Sequence, residues 1–130
     1  MTVNKSLFIL YVADQLRSAK FYTRVLACEP TLNVPGMTEF ALTPTSVLGL
    51  MPEAGIKRLL SNALPDPAGA HGIPRAELYL KVADAASYHQ RALSAGAIEL
   101  SAMALRSWGD RAAYSLDPDG HVIAFAEDVP

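Results

Sequence analysis

The sequence predicts an α+β fold: two βαβββ modules, each forming a small curved mixed sheet. Two observations carry this reading. Leu10-Tyr11-Val12-Ala13-Asp14 returns as Leu80-Lys81-Val82-Ala83-Asp84 at a separation of 70 residues, and after a gap of three Arg24-Val25-Leu26 aligns with Arg91-Ala92-Leu93. Each copy then runs on into short strand-like segments divided by turn residues, which argues against alternating βαβ winding.

The elements follow in order. Residues 7–12 form a short apolar run, aromatic and β-branched, which reads as a strand. Asp14 is placed to cap a helix on which Leu16, Ala19, Tyr22, Val25 and Leu26 recur at helical spacing, until Pro30 stops it. Three strands are expected at 31–34, 38–42 and 46–51, separated by Pro35-Gly36 and Pro44. Residues 52–74, rich in Pro and Gly, read as a linker with one helical turn at 56–60. A second module opens with a strand at 77–82, capped by Asp84 into a helix over 85–95 that Gly96 ends. Strands are expected at 98–100, 111–116 and 122–126, the last two joined by the turn Asp117-Pro118-Asp119-Gly120. The modules therefore span about 5–51 and 75–128 of a single domain.

Composition narrows the function classes. Of 130 residues 51% are hydrophobic and 18% charged, with 11 basic against 13 acidic side chains and a net charge of -2. Dispersed, near-neutral charge leaves no footprint for nucleic acid or anionic lipid, and no run reaches the roughly 18 apolar residues of a membrane span. Cys28 alone cannot form an internal disulfide, and no secretory signal is evident, so a cytoplasmic protein is expected. Following Val25, Leu26 and Ala27, Cys28 is expected to behave as a small hydrophobe.

Tyr11-Val12-Ala13-Asp14, Ser18-Ala19-Lys20-Phe21-Tyr22, Val25-Leu26, Trp108-Gly109-Asp110-Arg111 and Asp117-Pro118-Asp119-Gly120-His121 together resemble the vicinal oxygen chelate superfamily. That superfamily groups glyoxalases, bleomycin resistance proteins, fosfomycin resistance enzymes and extradiol dioxygenases. The resemblance covers almost the whole chain and implies a glyoxalase/bleomycin resistance-like domain, usually a homodimer in which modules of different chains complete each cavity. It also implies four metal-ligand positions, one on each of four strands. By motif these fall on Leu7, near Gly49, on Glu77 and on Ala124, and only Glu77 has a ligand atom. A divalent catalytic site needs about three protein ligands, so no metal and no other cofactor is expected.

Strand alternation places Leu7, Ile9 and Tyr11 on the face of the ligand position, with Phe8, Leu10 and Val12 against the helix. It also groups Val47, Gly49 and Met51, then Glu77, Tyr79 and Lys81, and Val122, Ala124 and Ala126. The expected wall is apolar, with a few orienting polar groups, as in small-molecule pockets or, alternatively, in a plain core. Trp108 either stacks on a planar or cationic ligand or plugs a dimer seam. Glu77, if walled off from water, needs a cationic partner: Lys81, Arg111 or a positive group on a ligand. His89 reads as a helix residue, solvated or half-buried, and His121 as turn chemistry. His71, six residues before Glu77 in the linker, is a candidate for presentation at the cavity mouth.

The expected function is metal-independent binding of a small organic molecule, aromatic or cationic, as in drug or metabolite sequestration. The site residues are Leu7, Ile9, Tyr11, Gly49, Glu77, Tyr79, Trp108 and Ala124. The alternative is a metal-dependent lyase or dioxygenase-like enzyme with atypical ligands such as Glu77 and His71. A third reading is a degenerate domain serving only as an interaction partner.

Overall fold

The computed structural model describes residues 2–130 as two compact units. One runs to Thr23 and resumes over Ala27–His71; the other takes Arg24–Leu26 with Gly72–Pro130.

The first unit holds strand β1 (Ser6–Val12), helix α1 (Gln15–Leu26), β2 (Leu32–Val34), β3 (Met37–Thr43), β4 (Ser46–Pro52) and helix α2 (Glu53–Leu60). Two single 3-10 turns, Ser61–Ala63 and Pro67–Ala70, follow. Asp14 caps α1 as its sequence position requires, accepting from the Arg17 amide at 3.0 Å. The sheet order is β1-β4-β3-β2, with β1 parallel to β4 and the rest antiparallel. Tyr22 of α1 packs against Phe40 at 6.4 Å between ring centroids, which puts Phe40, Leu48, Leu50 and Val12 under the helix, all fully buried. The Gln15 side chain clamps the β2–β3 hairpin, donating to Val34 O and Thr38 Oγ1 and accepting from Gly36 N.

The second unit repeats the plan with β5 (Glu77–Lys81), α3 (Ala85–Ser94), β6 (Ile98–Leu105), β7 (Asp110–Leu116) and β8 (Val122–Asp128), in the order β5-β8-β7-β6. Asp84 caps α3 through the Ser87 amide and hydroxyl. Tyr88 of α3 lies 5.2 Å from Phe125, so Phe125 and Ile123 face the helix and are buried. The last turn of α1 belongs to this unit, where Arg91 donates to Val25 O. No helix among the described residues is long and apolar enough to cross a membrane.

Four expectations are corrected. The linker carries α2, which Pro52 starts from the N-cap position, where a missing N–H costs nothing. Strand β6 continues to Leu105, held by pairing with β7 and by Arg106, which donates to Ala112 O, Ala102 O and Ser101 Oγ. Cys28 is exposed, because Ala27 enters the left-handed region at φ 54° and turns the chain off the apolar stripe of α1. Phe8 is 55% exposed, for burial along β1 rises only from there through Leu10 to Val12.

Candidate functional site

Edge strand β5 alternates, placing Glu77, Tyr79 and Lys81 on the face away from α3. In register beside them β8 offers Val122, Ala124 and Ala126, and β7 adds Tyr114 opposite Ala124, Ala112 opposite Ala126 and Asp110 opposite Asp128. The three alanines are fully buried and make a floor. Tyr79 and Tyr114 flank Ala124 on either side, so the tyrosines, and not Ala124 itself, present surface here.

A chain of hydrogen bonds crosses this floor. The Tyr79 hydroxyl donates to Asp110 Oδ2 at 2.6 Å and accepts from Trp108 Nε1 at 2.8 Å. Lys81 Nζ binds Asp110 Oδ1 at 3.2 Å and also Asp128. Behind Tyr114 sits the Arg106 guanidinium, 5.3 Å from the ring centroid. Trp108 rides on the loop that Gly109 turns at φ +97° and is 57% exposed, its indole tethered by that one bond to Tyr79.

The electrostatics follow from these contacts. Burial, then the bond to Asp110, pushes the Tyr79 phenol up. The Tyr79 hydroxyl, and then Lys81, hold the Asp110 carboxyl below the usual carboxylate range. Lys81 is raised by its bonds to Asp128 and Asp110, and Tyr114 is raised by burial and by the charge of Glu77. At neutral pH the face therefore carries a neutral phenol, an anionic Asp110 and a cationic Lys81.

Glu77 is exposed and pairs with neither expected partner. Lys81 is taken by Asp110 and Asp128, and Arg111, which alternates onto the other face, lies 3.8 Å from Glu127. Left in water, Glu77 needs no internal cation, and its carboxylate stays available. The face thus combines two tyrosines, one tryptophan and three carboxylates with Lys81 and, at the Tyr114 ring, the Arg106 guanidinium.

In the first unit the corresponding face carries Leu7, Ile9 and Tyr11, which are 44%, 41% and 37% exposed. Gly49 is buried beside them, in register between Ile9 and Glu39. A Cβ there would meet Ile9 Cγ1 at 3.1 Å and Met37 Sδ at 3.3 Å, so a glycine lets these side chains close over the strand.

A model of the Glyoxalase/Bleomycin resistance protein/Dioxygenase superfamily matches residues 6–125. The chain belongs to this superfamily. A search of curated protein sequences returns no match. Among solved structures, a glyoxalase-related enzyme from Fulvimarina pelagi is similar with a TM-score of 0.79 and 21% identity, covering 95% of this chain and 86% of that one. A glyoxalase/bleomycin resistance protein/dioxygenase family enzyme from Burkholderia phytofirmans PsJN gives 0.79 and 17%, covering 95% and 97%. TioX from Micromonospora sp. ML1 gives 0.64 and 15%, covering 96% and 98%. These likenesses establish the fold.

Of the four metal-ligand positions that the resemblance implies, three carry no donor. Leu7, Gly49 and Ala124 offer no ligand atom, which leaves Glu77 alone. Among the described residues, Asp117, Asp119 and His121 do bring ligand atoms within 4.8 Å of one another, but in the β7–β8 turn. There the Asp117 carboxylate already accepts from Asp119 N and His121 N and meets His121 Nδ1 at 2.9 Å. His71 is exposed in the left-handed cap of the second 3-10 turn. His89, expected at a solvated or half-buried position, is buried on α3, with Nε2 2.8 Å from Glu99 Oε2.

Sequence reasoning named Tyr79 and Trp108 and missed what joins them. Asp110, Tyr114 and Asp128 share the face, and one signal was available: alternation from Asp110 through Ala112 to Tyr114, set in antiparallel register against residues 124–128.

Proposed function

We propose that this superfamily member binds a small planar organic molecule bearing a positive charge, without a metal, and sequesters it. The observation that carries the reading is the Trp108–Tyr79–Asp110 chain, which fixes an aromatic surface beside anionic groups on an open sheet face. Aromatic rings supply stacking area and attract cations, while Glu77 and Asp110 favour a positive charge over a negative one. The empty donor set at Leu7, Gly49 and Ala124 supports binding over metal chemistry. The proposal includes a homodimer in the cytoplasm, with a second copy covering β1. It is supported by the exposed apolar side chains of that edge strand, an arrangement that otherwise invites aggregation.

The test is thermal shift over a panel of polycyclic and glycopeptide compounds. Stabilisation by planar cationic members, weakened tenfold or more by Glu77→Gln together with Trp108→Ala, is the expected outcome. If no compound stabilises the protein while substitutions at Tyr79, Trp108 and Glu77 only destabilise it, sequestration is wrong. Metal analysis of protein purified without chelator decides the rival enzyme reading, which requires a stoichiometric divalent ion.

A further inference from the structure

A groove of about 580 Å³ lies in the first unit, where α2 meets the two 3-10 turns. Its apolar lining is alanine alone: Ala13, Ala54 and Ala68. Its polar lining comes from Glu53, Lys57, Arg58, Ser61, Asn62 and Asp66. No aromatic ring is among these residues, so nothing there stacks on a planar ligand or a sugar face.

The polar groups divide into spent and unspent. Lys57 is spent, its ammonium donating to Ser61 O at 2.8 Å and Leu64 O at 2.7 Å, which holds the turn after α2 with Ser61 at φ 50°. Asp66 uses Oδ1 on the Ala68 amide and keeps Oδ2. The Glu53 carboxylate and the Arg58 guanidinium are unspent: neither makes a hydrogen bond or ion pair with any described residue. One groove therefore holds opposite charges that do not neutralise each other, beside an apolar lining of three alanines.

We propose that this groove binds a small zwitterion, an α-amino acid with a short side chain, with Arg58 on the carboxylate and Glu53, aided by Asp66, on the ammonium. The guanidinium fork matches a carboxylate through two parallel hydrogen bonds, and a carboxylate is the natural acceptor for an ammonium. A ligand carrying only one of the charges leaves the other protein group unmatched, so the proposal requires both on one molecule. The volume lies within the range of small-molecule sites. This site is independent of the β5–β8 face, so either reading can fail without the other.

The experiment is an amide-resolved NMR titration of the full chain with L-alanine, with acetate and ethylammonium as single-charge probes. Saturable shifts confined to residues 53–68, produced by L-alanine and reduced at least tenfold in affinity with each single-charge probe, are expected. Arg58→Gln and Glu53→Gln should each weaken L-alanine binding about tenfold while leaving the rest of the spectrum in place. Both side chains meet solvent, so the fold survives these changes. The proposal is overturned if L-alanine produces no saturable shifts, if acetate binds as well as L-alanine, or if either variant binds with unchanged affinity.

Discussion

Replacing Tyr79 with Phe removes one oxygen and leaves the ring. That oxygen donates to Asp110 at 2.6 Å and accepts from Trp108 at 2.8 Å, so two hydrogen bonds go at once. A hydrogen bond to a charged partner contributes about 1.5–3 kcal/mol net. The lower end applies, because Asp110 keeps its bond to Lys81. The indole bond adds less, as Trp108 is 57% exposed. The expected loss is about 1–2 kcal/mol, a fall of roughly 3–6 °C in Tm for a domain of this size. Trp108 is the only tryptophan, so its emission reports the tether directly. In Tyr79→Phe the emission should move toward that of free indole, and added iodide should quench it more. If emission, quenching and Tm all match the wild type, the hydrogen-bonded chain does not order this face.

Gly120→Ala should destabilise by more than about 3 kcal/mol, read by denaturant unfolding, since Gly120 sits at φ +89° and a Cβ would lie 2.6 Å from the Gly72 carbonyl oxygen. Gly49→Ala is expected to cost no more than about 1–2 kcal/mol by the same measurement, because the atoms it meets belong to the flexible side chains of Ile9 and Met37. The pH response has two edges. Asp110 has a lowered pKa in the fold, so its contribution is complete above the usual carboxylate range and is lost as pH falls through the folded value. Tyr79 and Lys81 have raised values, so theirs hold below the ordinary phenol and ammonium range and are lost as pH rises through the folded values. Trp108 emission followed across pH should change at both ends and stay flat between.

Much of the fold was legible because its signals are local. Asp14 and Asp84 cap helices from their own side chains, and the internal repeat exposes the second module even where single strands are short. What escaped depended on distant partners. Helix α2 was legible only as the turn at 56–60, because its first turn runs straight on from Pro52 through Gly55, residues that read as linker. The second half of β6 holds its place through the side chain of Arg106 and a shifted register near Ser101, neither visible in residue pattern. At the site, Tyr79, Trp108 and Glu77 were recognisable as chemistry. Asp110 was not, because its importance comes from cross-strand register, and the solvent left around Glu77 is likewise a tertiary fact.

The most direct test of the account is an equilibrium titration of chelator-treated protein with a planar cationic compound taken from the thermal-shift panel, followed through Trp108. The account predicts saturable quenching with the same Kd before and after chelation, and a several-fold rise in Kd on Glu77→Gln. Binding that vanishes on chelation and returns with a divalent metal would contradict it.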